Sequence, residues 1–449
     1  MFAGLNTTLG WVYQRRSDYP QAISCFQQAI GLLGKGSSKE LGLALNGLGV
    51  VYWGLGEFSK ALNYYHKSLK IFEELKDEKC LATVNMNLGL LYRSKGEPKE
   101  ALDYFEKSLH TEQKYRNIAN LSFLYNNLAL TLENLCEWDR SLECHLKSYE
   151  LKERTGDQKG LANTLTNLGL VHLRRGALNK SLESHSKALK LFQNLHDRSG
   201  VAHSCFSLGE VYLLKEEWSK SKTYLERSLR LREDLSDKPG IADSLSLLGR
   251  LNLEIGDFSA ASSQLKESLR LYDTLENQKK MLELTLSLTE LGVRQDNKTE
   301  AEVHLNYAEK LMNSVEDQAL KGKFKRVTGA LLKQRGRVEE SLSEFLEATK
   351  IFKRLKKRYE LGIAYLEIGK IKSDLGKFKE AKAYSKEALA IFKDMEIPTK
   401  VSECEGLIKE LSNFTQIDQQ RIQILYQVSE LLNNITDLDE LLVKILDLA

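Results

Sequence analysis

The residue pattern specifies an all-α solenoid of about ten stacked helix pairs. Three observations carry that reading. A Leu-Gly pair followed by a large residue recurs at a step of 39 once and of 40 thereafter. Each copy splits into two apolar stripes at helical spacing, separated by a turn signal. All four prolines fall where such a pattern tolerates them.

Leu9-Gly10-x-x-Tyr13 opens the first copy, and Ala22, Phe26 and Ala29 supply its second helix. Leu48-Gly49-x-x-Tyr52 with Ala61, Tyr65 and Ser68 makes the second copy. Leu88-Gly89-x-x-Tyr92 with Ala101, Phe105 and Ser108 makes the third. Leu128-Ala129, Leu168-Gly169, Leu208-Gly209 and Leu248-Gly249 continue the series, with Ser141, Ser181, Ser221 and Ala261 at the small downstream position. Degenerate copies follow at Leu288, Gly329 and Ile368-Gly369, with Ala301, Ser341 and Ala381. Glycine fills the turn inside six copies, at Gly56, Gly96, Gly176, Gly256, Gly336 and Gly376, where it lets the backbone reverse at little steric cost. Pro20 and Pro98 start second helices, and Pro239 and Pro398 are read as lying between copies. One helix pair cannot bury its apolar face alone, so the copies must stack.

Composition narrows the function classes. The 449 residues are 42% hydrophobic and 28% charged with four prolines, a balance that excludes a disordered chain. The longest apolar stretch, Leu41 to Gly56, is interrupted by Asn46 and falls short of the ~20 residues a membrane-spanning helix needs. A net charge of +3 is too balanced to argue for nucleic acid. Residues 1–13 are uncharged, but the first positive charge, Arg15, lies beyond them and the repeat register runs straight through, so they are read as mature structure. Six cysteines, at 25, 80, 136, 144, 205 and 404, show no CxxC and no regular pairing, which places the chain in a reducing cytoplasm.

The x-Leu-Gly-x-x-Tyr…Ala-x-x-x-Phe-x-x-Ala pattern resembles the tetratricopeptide repeat family over residues 1–396. The longer forty-residue unit is similar to the subclass of kinesin light chains, Pins-type polarity adaptors and many bacterial regulators. Loops such as Gly156-Asp157-Gln158-Lys159-Gly160 and Asp237-Lys238-Pro239-Gly240 match that subclass. The resemblance implies a right-handed superhelix, and stacking of helix pairs puts the first helices on its concave face.

That face carries Thr83, Asn87, Leu90 and Ser94 in copy three, Phe123, Asn127, Leu130 and Asn134 in copy four, and Asn163, Asn167, Leu170 and Arg174 in copy five. Copies six and seven change to His203, Ser207, Glu210 and Leu214, then Asp243, Leu247, Arg250 and Glu254. Asn87, Asn127 and Asn167 form a ladder at one repeat position, and a carboxamide suits a peptide backbone because it both donates and accepts. Leu90, Leu130, Leu170 and Phe123 would add apolar pockets. In tetratricopeptide families, asparagines just before the Leu-Gly pair resemble these and line a peptide groove. The alternative is that these asparagines only cap or solvate the helix face. Copy two departs, with Asn46 one position early and Gly47 in the ladder place.

Other features carry less. A basic segment, Lys321, Lys323, Lys325 and Arg326, then Lys350 to Arg358, reads as a solvated face rather than a nucleic-acid patch, since no aromatics interleave for base stacking. Cys144, His145, His172 and His185 read as substituted core positions rather than a zinc site. Phosphate-loop, dinucleotide, zincin and nucleophile-elbow motifs are absent, so neither an enzyme nor a cofactor is expected.

From Phe414 the forty-residue pattern stops. Residues 397–413 read as a capping helix and 414–449 as a linker, with Leu425, Val428, Leu432 and Ile435 on a short coiled-coil seam able to pair two copies. The run from Leu425 through Leu442 resembles the entry to a GAF domain. That resemblance implies a kinase, cyclase or transcription-activating output further on, the chain being a fragment. The reading is therefore a non-enzymatic sensing module that binds a peptide or protein in its groove and relays occupancy to the C-terminus. A stand-alone scaffold is the alternative, and a metal- or nucleic-acid-binding protein ranks third.

Overall fold

A computed structural model describes residues 2–34, 36–413 and 424. Twenty helices follow one another in pairs, a further helical run covers 398–413, and the described residues contain no strand. The first five pairs are α1 (Phe2–Arg15) and α2 (Tyr19–Leu33), α3 (Lys39–Gly54) and α4 (Phe58–Leu75), α5 (Glu78–Ser94) and α6 (Pro98–Tyr115), α7 (Ile118–Asn134) and α8 (Trp138–Thr155), α9 (Gln158–Arg174) and α10 (Leu178–Asn194). The next three are α11 (Arg198–Leu214) and α12 (Trp218–Asp234), α13 (Lys238–Ile255) and α14 (Phe258–Thr274), α15 (Gln278–Arg294) and α16 (Lys298–Met312). The last two are α17 (Gln318–Gln334) and α18 (Val338–Arg354), α19 (Arg358–Asp374) and α20 (Phe378–Asp394). The coiled-coil seam and the GAF-like run lie outside the described residues.

Two compact units divide the chain. The first comprises Met1–His172 with Glu183–His196, the second Leu173–Leu182 with Asp197–Ala449.

The Leu-Gly signature has a direct packing cause. A Cβ on Gly49 would lie 2.5 Å from the Tyr65 ring, and one on Gly89 would lie 2.6 Å from the Phe105 ring. In these two pairs the aromatic of the second helix thus seats on the bare backbone of its own first helix. Serines on second helices close the same pairs: Ser68, Ser108 and Ser268 donate to the carbonyls of Gly42, Ala82 and Ala242 at 2.7–2.8 Å. Aspartates start many helices, as where Asp77 Oδ1 accepts from the Cys80 amide at 3.1 Å.

All six turn glycines adopt positive φ, between 71° and 90°. Where the sequence offers no glycine, Ser17, Cys136, Glu216 and Asp296 take φ of 56° to 59° at the corresponding turn. The repeat geometry therefore imposes the left-handed residue whatever its side chain. Pro239 and Pro398 sit in the first turns of α13 and of the 398–413 run rather than between copies, where a missing N–H is tolerated.

Candidate functional site

In the first unit the row read from the sequence is present on α5, α7 and α9, but its carboxamides are arranged as pairs. Asn87 Nδ2 donates to Asn46 Oδ1 on α3 at 3.0 Å, and Asn167 Nδ2 donates to Asn126 Oδ1 on α7 at 3.1 Å. Each pair spans 41 residues rather than 40. Adjacent first helices therefore bring an asparagine opposite the residue one position later in the next copy. Asn46, one position early in its copy, is Asn87's partner for that reason.

Asn127 turns inward. It is 4% exposed, and its Nδ2 donates to the Phe123 carbonyl at 2.8 Å. Leu90 is buried beside Phe105 and Leu124, while Leu130 and Leu170 are half-buried. Phe123 stands out at 43% exposed, with Asn134 and Asn163 also exposed. Arg174 is exposed and belongs to the second unit.

The second unit uses the same helix positions for charge. Arg294 on α15 donates to both carboxylate oxygens of Glu254 on α13, at 2.9 and 2.8 Å. Arg326 on α17 grips Glu290 on α15 likewise, at 3.2 and 2.9 Å. Lys280 bridges Asp243 and Glu283 at 3.1 and 3.3 Å. Tyr272 Oη donates to Asp243 at 2.6 Å. Lys323 Nζ reaches no carboxylate among the described residues, and donates instead to Ser287 Oγ at 3.0 Å and the Glu283 carbonyl at 3.4 Å.

The electrostatics follow from burial. Desolvation pushes the Glu290 carboxyl up, but Arg326, Lys323 and Arg294 outweigh it and hold the group at about 2. Desolvation and the neighbouring Arg250 push the Lys323 amine down to about 8, and Glu283 and Glu290 offset only part of that. Three members of the basic segment, Lys323, Lys325 and Arg326, are thus half-buried and face partners rather than solvent, Lys325 reaching Glu344 at 3.0 Å. Lys350, Lys353, Arg354 and Lys356 are exposed.

His145 and His185 are fully buried at second-helix core positions, and His145 Nε2 lies 2.9 Å from Glu133 Oε1. Among the described residues no three His, Cys, Asp or Glu side chains converge on a common point. The first helices thus present carboxamides and one exposed aromatic ring in the first unit and paired charges in the second.

Tetratricopeptide-repeat family models match residues 40–110, 120–194, 199–274 and 328–394, more than half of the chain, and a second such model matches 8–40. The chain belongs to the tetratricopeptide repeat family. Solved tetratricopeptide-like structures align along most of it. A Rap protein complexed with Competence and Sporulation Factor is 13% identical with a TM-score of 0.53, covering 88% of this chain and 98% of its own. Aspartyl phosphate phosphatase F from Bacillus subtilis is 13% identical with a TM-score of 0.54, covering 78% and 93%. The apo form of RapI is 12% identical with a TM-score of 0.50, covering 88% and 99%. Identities this low establish the shared fold alone. No curated protein matches the sequence significantly.

Within this tetratricopeptide array, sequence reading passed over the charged lattice. Its signal was available: Glu254 and Arg294 are opposite charges one repeat apart on the face already identified. Sequence alone does not show that they close on one another.

Proposed function

We propose that the chain is a non-catalytic partner-binding module of the regulatory kind, taking an extended peptide or protein segment along α5, α7 and α9. The observation that supports it best is the exposed Phe123 ring, with Asn134 and Asn163 also exposed, on a row whose other asparagines are already held by hydrogen bonds. An amide fixed by one hydrogen bond has lost its rotamer freedom before a ligand arrives, and it keeps further donor and acceptor capacity. Asn87, Leu90, Asn127, Leu130, Asn167 and Leu170 would floor the groove. A Rap protein of like fold has been solved with Competence and Sporulation Factor, so the fold accommodates a partner.

Residues 1–396 form the array in this reading, 397–413 cap it, and 414–449 carry the signal onward, with pairing of two copies there. Six free thiols suit a cytoplasmic setting. No helix among the described residues is long and apolar enough to cross a membrane.

The test is a displayed random-peptide library panned against the chain, followed by affinity measurement on the selected peptides. Phe123→Ala with Asn163→Ala should weaken them about tenfold or more. Both side chains are exposed, so helix content and melting should not move. Equal affinity in the double variant would remove the groove from this row.

A further inference from the structure

In a repeat array each copy ordinarily touches only its neighbours. The second unit breaks that rule. Asn179, just after the turn between α9 and α10, is hydrogen-bonded to Glu396 across 217 residues. Arg358 Nη1 donates to the Arg175 carbonyl at 3.2 Å across 183 residues. Thr399 is hydrogen-bonded to Glu216, again across 183 residues, and Lys400 Nζ stands 3.8 Å from the same carboxylate. The equal step in two successive copies marks a regular return of the chain onto itself, not one stray contact.

The contact has an apolar floor and an exposed polar rim. Leu173 and Leu178 cluster with Phe392, Met395, Ile397 and Cys404. Met395 lies so close to Gly176 that a Cβ there would come within 2.9 Å of its Cγ. Asn179, Glu396 and Thr399 at the rim are exposed, where paired groups hold weakly and salt screens them.

We propose that residues 394–404, docked on the turns at 173–182 and 215–217, form a releasable latch that fixes the 398–413 helix, through which the array continues into 414–449. Undocking frees that helix without unfolding the repeats, because the neighbour-to-neighbour stacks do not depend on the latch. The idea rests on the chain being a partner-binding module that relays to its C-terminus, and it supplies the moving part.

The experiment uses the full chain and hydrogen exchange. Gly176→Cys with Met395→Cys places two thiols within disulfide reach, given the 2.9 Å approach of the Gly176 Cβ position to Met395 Cγ. Oxidation should slow exchange of the 401–404 amides, the first of which donates to the Ile397 carbonyl at 3.0 Å, about tenfold against the reduced form, leaving α13 and α15 unchanged. Met395→Asp should speed the same amides by a similar factor, again about tenfold, with helix content retained. The Gly176→Cys single variant controls for native thiols and for the positive φ of 79° at that position. Failure of the two cysteines to pair, or identical exchange in oxidised and reduced forms, would overturn the latch. Peptide affinity of the Phe123 and Asn163 variants is a separate readout, so the groove and the latch can fail independently.

Discussion

Adding one methyl group to two different glycines should move stability in opposite directions. A Cβ on Gly89 in α5 would lie 2.6, 2.7 and 3.0 Å from three atoms of the Phe105 ring. Carbon atoms pack best at about 3.5–4.0 Å, so the ring must retreat by roughly 1 Å. It has nowhere to go. Phe105 is 0% exposed and clustered with Ala101, Leu124 and Leu128. Overpacking of this kind costs about 1–3 kcal/mol, while alanine returns roughly 1 kcal/mol of helix propensity. Gly89→Ala should therefore destabilise by up to about 2 kcal/mol. Gly406, inside the 398–413 helical run, has no atom within 4 Å of its Cβ position. There the propensity gain stands alone, and Gly406→Ala should stabilise by up to about 1 kcal/mol. Arrays of this length do not unfold in one step, so the readout is hydrogen exchange of the α5–α6 and 398–413 amides beside thermal melting. Shifts of the same sign in both variants would refute the steric account of the Leu-Gly signature.

Cys136 occupies the left-handed turn position at φ 57° without glycine's freedom, so Cys136→Gly should raise the melting temperature, by roughly 1 kcal/mol of stability. An unchanged or lower melting point would mean that the turn carries no strain. Glu290 is held at about 2 against an ordinary 4.5, so its contribution is complete above pH 4.5 and is lost as pH falls towards 2. Acid unfolding of the wild type should show that limb, worth roughly 3 kcal/mol, and Glu290→Gln should flatten it. Lys323 shifts the other way: it is pushed to about 8 from 10.5, so the unfolded chain binds more protons between those values and stability should rise with pH there. Lys323→Met should gain stability at pH 7 and lose that rise, and an unchanged alkaline limb would show that Lys323 is solvated.

The fold was legible because its cause repeats. Leu88, Gly89, Phe105 and Ser108 recur as a set in copy after copy, and each member has a role inside one helix pair. Turn glycines were readable too, although Cys136 and Glu216 show that the backbone demands the conformation even where the residue does not advertise it. The candidate row was legible in position but not in partnership. Whether Asn87 meets Asn46 or solvent depends on the offset between neighbouring first helices, which a period of forty does not contain. Asn127 reads like Asn87 in sequence, yet it bonds backwards to Phe123 and is buried. The latch was invisible for a related reason. Contacts across 183 and 217 residues arise from the accumulated rotation of many copies, and no local pattern encodes that sum.

One set of helix positions thus carries two chemistries. At the position of Thr83, Phe123 and Asn163 the first unit places neutral groups, and the second unit continues it with His203 and then the charged Asp243, Glu283 and Lys323. Neutral amide pairs tie neighbouring first helices in the first unit, whereas bidentate Arg–carboxylate pairs tie them in the second. The consequence is physical. Salt and pH act on charged ties and hardly at all on amide ties, and a half-buried ion pair resists being broken because one charge would be left unpaired. A partner entering the first row displaces water from Phe123 and Asn163 and breaks no ion pair. One entering the second row must break or satisfy Glu290–Arg326 and Glu254–Arg294. The first row is the cheaper surface for an uncharged or backbone-read segment, and the second is built to keep its own helices in register.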